Sequence, residues 1–102
     1  MSYNTPEGKV KRKVVELLKA KKIWYFFPAN NGMGKAGIPD IIAIVKGQFV
    51  GIEVKADRTK KPTALQVKCG EEIQRAQGWW FLVCDAESIR SLEQAIEEKL
   101  YR

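Results

Sequence analysis

GIPDIIAIVKGQFVGIEVKA, residues 37–56, decides how this chain is read. Two apolar runs, about 39–46 and 48–56, meet at Lys46-Gly47, a dipeptide that can form a two-residue hairpin turn. That turn fixes the cross-strand partners. Val45 faces Gln48, Ala43 faces Val50 and Ile41 faces Ile52, while Ile44 faces Phe49 and Ile42 faces Gly51 on the other side. The same register sets Asp40 directly across from Glu53, and Lys55, two residues further on, shares their face.

Opposed residues in such a pair hold their Cβ atoms roughly 4.5–5.5 Å apart. Two ionised carboxylates at ~5 Å repel by about 3 kcal/mol at an effective dielectric of about 20. The strands are otherwise apolar on both faces, which marks them as central and raises that cost. Two readings follow. Asp40, Glu53 and Lys55 form a structural ion cluster at a sheet edge, or a divalent cation between the acids reverses the sign of their interaction. With no His or Cys at the site, oxygen ligands suit Mg²⁺ or Mn²⁺.

The bulk composition narrows the chemistry. The chain has 102 residues, 45% hydrophobic and 29% charged, which is the composition of a globular protein with one modest core. A single domain over residues 1–102 is therefore expected. It contains no histidine, so Ser-His-Asp and Cys-His nucleophile systems and histidine zinc sites are excluded. Its two cysteines, Cys69 and Cys84, stand in no metal-ligand spacing. No apolar run reaches the ~20 residues of a membrane span, and MSYNTPEGKVKRK has no apolar segment behind its basic residues. A cytoplasmic location is the expectation. The net charge of +6 and pI near 9.4 favour a polyanionic partner.

Outside the hairpin the periodicities read as follows. Residues 5–22 predict a helix capped by Thr5, with Pro6 in its first turn and a stripe of Val10, Val14, Leu17 and Leu18. That stripe extends back to Glu7, which places a third carboxylate toward the sheet, although the helix dipole alone favours a Glu there. IWYFF, 23–27, predicts a strand with Trp24 and Phe26 on one face, Tyr25 and Phe27 on the other. A glycine-rich loop over 30–37 follows. Its Asn30, Asn31 and Lys35 suit either phosphate contact or an ordinary connection. After the hairpin, Thr63 and Gln66 form a capping box that opens a helix with the stripe Leu65, Cys69, Ile73 and Ala76, stopped at Gly78. WWFLVC, 79–84, predicts a fourth strand, and Asp85 caps a last helix with the stripe Ile89, Leu92, Ile96 and Leu100. The order is αβββαβα.

Gly32, Gly34 and Gly37 satisfy G-x-G-x-x-G, but the fingerprint needs a helix opened by its last glycine. Ile38, Pro39, Asp40, Ile41 and Ile42 start a strand instead, and Lys35 is followed by Ala36 rather than Ser or Thr. A nucleotide cofactor is not expected.

Pro39-Asp40 followed by Glu53-Val54-Lys55 on the adjacent strand resembles the signature of the PD-(D/E)XK nuclease superfamily. With Glu7 early in the first helix, Gly37-Ile38-Pro39-Asp40, and Gln66 opening the later helix, the chain resembles a virus-type replication-repair nuclease (VRR-NUC) domain over nearly its whole length. The resemblance implies a restriction-endonuclease-like α/β core, a mixed four-stranded sheet flanked by helices. It implies metal-dependent hydrolysis of phosphodiester bonds in DNA. By the same resemblance Asp40, Glu53 and the main-chain carbonyl of Val54 hold Mg²⁺ or Mn²⁺, with Glu7 an outer or additional ligand. Lys55 positions or deprotonates water, and Gln66 orients water or a phosphate oxygen.

Stand-alone domains of this kind, typical of phages, resemble Holliday-junction resolvases that act as homodimers. The alternatives are a nuclease of different preference, for flaps, nicks or duplex, and a non-catalytic DNA-binding module that keeps the fold. A two-fold dimer suits the paired cleavage points of a four-way junction. The aromatic strands offer more apolar surface than a small core easily hides, unless helices cover both faces. Lys9, Lys11, Arg12, Lys13, Lys35, Arg58, Lys60 and Lys61 are the candidate phosphate contacts.

Overall fold

The computed structural model describes residues 3–29 and 34–102. Helix α1 runs Pro6–Ala20, β1 Trp24–Phe26, β2 Ile41–Val45, β3 Gln48–Val54, α2 Ala64–Arg75, β4 Trp79–Val83 and α3 Ala86–Leu100. The αβββαβα order is as the sequence leads one to expect. The sheet order is β1-β2-β3-β4. Strands β1, β2 and β3 are antiparallel neighbours and β3 pairs with β4 in parallel, so the sheet is mixed and the hairpin is central.

The hairpin forms in the register deduced from its turn, with Ile41 opposite Ile52 through Val45 opposite Gln48. Lys46 and Gly47 have φ of 49° and 81°, so both turn residues are left-handed, as the hairpin turn of type I′ requires. Lysine accepts that backbone here because it stands in the exposed turn. Both strands are shorter than the apolar runs suggest.

Helices α1 and α3 lie on one face of the sheet, where Val14, Leu18, Ile41, Val45, Val50, Ile52, Val83, Leu92 and Ile96 make the core. Helix α2 lies on the other face, against β4. A Cβ at Gly70 would stand 2.5 Å from the Trp80 ring, so the absent side chain lets α2 press onto that indole. The α2 stripe is narrower than the periodicity predicts. Cys69 is buried and Ile73 half-buried, but Leu65 is 56% exposed and Ala76 is exposed, because the helix covers only part of its face of the sheet. The helix also ends differently. Gln77, with φ of 73°, takes the left-handed position, and Gly78 donates its N–H to the Ile73 carbonyl at 2.8 Å. Gly78 serves through smallness, since a Cβ there would lie 2.7 Å from Ile73 Cγ2.

Candidate active site

Asp40 sits immediately before β2, and continuing the observed register brings it opposite Glu53 near the end of β3. Two close approaches hold it there. Pro39 is fully buried, and a Cβ on Gly51 would meet its ring at 2.9 Å, so the proline seats on a bare patch of β3. Gly37 has φ of 77°, and a Cβ there would stand 2.3 Å from the Leu65 carbonyl oxygen and 2.9 Å from the Gln66 nitrogen. The chain entering β2 thus lies backbone to backbone on the first turn of α2. Only glycine combines that conformation with that contact.

Asp40 Oδ2 accepts the Val54 N–H at 2.8 Å. The N–H and C=O of one strand residue point to the same side, so the Val54 carbonyl is also directed to the strand edge where Asp40 stands. Glu53 is 1% exposed. Its Oε1 accepts the Gln66 side-chain N–H at 3.1 Å, while Oε2 is buried without a hydrogen-bond partner. Burial pushes its carboxyl up to about 8; the neighbouring Asp40 carboxylate, able to share a proton with it, adds to the rise, and Lys55 offsets part of it.

Gln66 works in two places. Its Oε1 accepts the Thr63 N–H at 2.8 Å and its backbone N–H donates to Thr63 Oγ1 at 3.2 Å, which completes the capping box. With the oxygen so engaged, the NH₂ end is turned to Glu53. Lys55 continues β3, its N–H donating to the Val83 carbonyl at 2.9 Å. Among the described residues no ion pair ties Lys55 to Asp40 or Glu53, so a permanent internal salt link does not neutralise the acids.

Glu7 departs from its expected place. The buried face of α1 carries Val14, Val15 and Leu18, and Glu7 is exposed in the first turn. Its charge still reaches Glu53 and contributes to the upward shift there. Among the described residues no group of three or more acidic, His or Cys side chains gathers in an arrangement able to hold a metal ion. The acids at the site are a pair. Their chemistry nevertheless fits a hard divalent cation: two adjoining carboxylates, an orphaned buried oxygen on Glu53, and a main-chain carbonyl at the same edge.

Of the basic residues, Lys9, Arg12 and Lys13 are exposed on α1, and Lys60 and Lys61 on the loop before α2. Lys11 lies over the Phe27 ring, 4.5 Å from its centroid. Lys35 pairs with Glu72 at 2.9 Å, and Arg58 pairs with Asp85 and Glu87 at 2.5 and 2.8 Å. Those last two cations are engaged within the chain rather than open to a phosphate. Asn30, Asn31 and Gly32 lie outside the described residues. No helix follows Gly37, where Asp40 leads directly into β2, so the nucleotide-binding fingerprint has no structural counterpart.

A groove of about 890 Å³ runs from Asp40 and Gln66 past Gly37, Ile42 and Leu65 to Trp24, Ile44 and Phe49. Sequence reasoning did not find the close approaches at Gly51 and Gly37 that seat Pro39 and Asp40 beside this site. The available signal was a glycine inside the otherwise β-branched strand β3, which marks a close approach.

A mixed sheet that brings Pro-Asp and Glu-x-Lys together at one end of its central hairpin is the frame of a PD-(D/E)XK nuclease fold. No family model and no curated protein matches the sequence. A solved structure described as a "VRR_NUC domain" superposes with a TM-score of 0.78 at 25% identity, over 88% of this chain and 96% of that one. Fold and motif residues together make the chain similar to a VRR-NUC domain and support a nuclease-family domain.

Proposed function

We propose that the chain, as one domain over residues 1–102, is a Mg²⁺- or Mn²⁺-dependent endonuclease acting on branched DNA. In this reading it resolves four-way junctions as a homodimer in the cytoplasm of a bacterial or phage-infected cell. The observation that carries the reading is the buried Glu53, with a free oxygen, set beside Asp40. A DNA-binding module gains nothing from paired acids facing a polyanion.

Asp40, Glu53 and the Val54 carbonyl would hold the cation, with Glu7 near enough to act through its charge. When bound, the cation acidifies water and neutralises charge on the attacked phosphate. Gln66 fixes the Glu53 carboxylate by donating to Oε1, which leaves Oε2 for the ion. The Lys55 ammonium supplies positive charge where the pentavalent phosphate gathers negative charge, and can give a proton from Nζ that the neutral amine later takes back. Lys9, Arg12, Lys13, Lys60 and Lys61 bind phosphates without reading bases, which suits selection by DNA shape. Lys35 and Arg58 can join them by exchanging their carboxylate partners for phosphate.

The test is a cleavage panel of four-way junction, flap, nicked duplex, duplex and single strand in Mg²⁺ or Mn²⁺. Junction cutting by the wild type, lost in Asp40→Ala or Glu53→Ala with DNA binding retained or improved, supports the reading. Lys55→Ala should slow cutting severely while metal binding is largely kept. A protein that shifts DNA in a gel and never cuts it is the non-catalytic module instead.

A further inference from the structure

Two lysines stand where the backbone favours another residue. Lys22, with φ of 57°, follows the C-cap of α1. The Lys22 N–H donates to the Lys19 carbonyl and the Ile23 N–H to the Leu18 carbonyl, a helix ending whose left-handed position is usually glycine. Lys46, with φ of 49°, opens the hairpin turn, where Asn or Asp is usual. A lysine costs stability at each position without any local gain. The two are neighbours, each two residues beyond Trp24 with Ile44, the last β1–β2 pair.

A pocket of about 380 Å³ lies at the same end of the molecule, lined by Lys46, Trp79, Glu98, Lys99 and Arg102. Among the described residues no ion pair engages Lys22, Lys46 or Lys99, and Arg102 meets Glu98 only at 3.8 Å, with both side chains in solvent. Phe26 pairs with Ile42, so the chain leaving β1 runs toward Asp40, away from this end.

We propose that this end of the sheet binds the phosphate backbone of a second nucleic-acid segment, separate from the one presented to Asp40 and Glu53. The identity of the polyanion rests on the proposed function. Strain kept at two adjacent lysines marks a demand for their charge rather than for their conformation. Lys99, in the last turn of α3, also offsets the helix dipole, but Lys46 belongs to no helix. A site for a lone phosphate uses backbone N–H groups at a helix N-terminus or glycine loop. Here α1 and α3 bring their C-termini, and the cations stand on three separate elements. That spread suits a polymer that touches several of them at once.

The segment is a second one because the two places are far apart. The seven residues of β3 set the hairpin turn roughly 20 Å from Val54. The faces differ as well, since Trp79 packs against the core under α1 and α3, whereas Glu53 meets Gln66 of α2.

The test is calorimetric titration of the full chain with a DNA hairpin of about six base pairs, roughly 20 Å long. Low salt and the absence of divalent metal keep binding tight and the DNA intact. The wild type should take two hairpins per chain. Lys22→Gly combined with Lys46→Asn removes both charges while giving each position its favoured residue, so Tm should rise as the second hairpin is lost. Lys46→Asn alone should weaken the second site, and Lys68→Gln, one charge on an exposed position of α2 outside the pocket, should leave it unchanged. One hairpin per wild-type chain, two retained by the double variant, or a lowered Tm in that variant overturns the proposal. So does adenosine monophosphate filling the second site as tightly as the hairpin, which would assign it to a small phosphate ligand. No strand is cut in this experiment, so its failure leaves the nuclease reading standing, and a failure of cutting leaves this result standing.

Discussion

Glu53 is the one charged side chain wholly withdrawn from solvent among the described residues, and its proton has a measurable consequence. Its carboxyl is raised from an ordinary 4.5 to about 8. Across that window the folded protein keeps a proton that the unfolded chain has released. Stability should therefore fall as pH rises, by at most about 1.4 kcal/mol per pH unit, and level off above 8. Thermal melts in metal-free buffer should show Tm falling from pH 5 to 8, with the slope lost in Glu53→Gln. If the site takes Mg²⁺, added Mg²⁺ should raise Tm more at pH 8 than at pH 5.5, because binding must displace that proton. A Tm that climbs across the window would contradict the assignment. Gly37 gives a second test at this scale. Gly47→Ala places a side chain at φ 81° with nothing within 4 Å, so it should cost only the about 1–2 kcal/mol of a left-handed backbone. Gly37→Ala adds a collision with the first turn of α2 and should cost more in urea denaturation. If the proposed cutting is real, Gly37→Ala should slow it where Gly47→Ala does not. Equal effects of the two would mean that the backbone contact is immaterial.

At the scale of elements, what could be read depended on how local the deciding physics was. The hairpin register followed from one dipeptide and the alternation of the strands, and all five pairs from Ile41–Ile52 to Val45–Gln48 agree with it. The caps at Thr5, Thr63 and Asp85 were equally local, and each side-chain oxygen accepts the N–H three residues on. The errors arose where a neighbour decides. Glu7 lies on the extrapolated stripe of α1 and its charge does reach Glu53, yet its own side chain is exposed while the neighbouring Gly8 is buried. Leu65 has helical spacing with Cys69, but α2 does not reach over β1 and β2. The contact from Gln66 to Glu53 spans 13 residues and no local pattern announces it. Trp24 and Phe26 were placed on their common face correctly, whereas their exposure depends on where α2 comes to rest.

For the whole molecule the governing quantity is charge. Lys9, Arg12 and Lys13 on the exposed face of α1 give the +6 chain a cationic flank. Each phosphate contact contributes about 0.9 to the slope of log affinity against log salt on duplex arms. The triple variant Lys9→Ala, Arg12→Ala, Lys13→Ala should thus flatten that slope by about 3 and weaken binding alike for all sequences, read by fluorescence anisotropy across a salt series. An unchanged slope would move the DNA path away from α1.

The side-chain amide of residue 66 joins two demands that most proteins keep apart. Thr63 and Glu53 claim opposite ends of the same group, so truncation to alanine releases both at once, whereas Gln66→Glu keeps the oxygen for Thr63 and loses only the donor to Glu53. Only glutamine, with an acceptor and a donor on one short arm, meets both demands at the mouth of α2, so heat tolerance there can be sought in the acceptor alone but only by giving up the tie to Glu53.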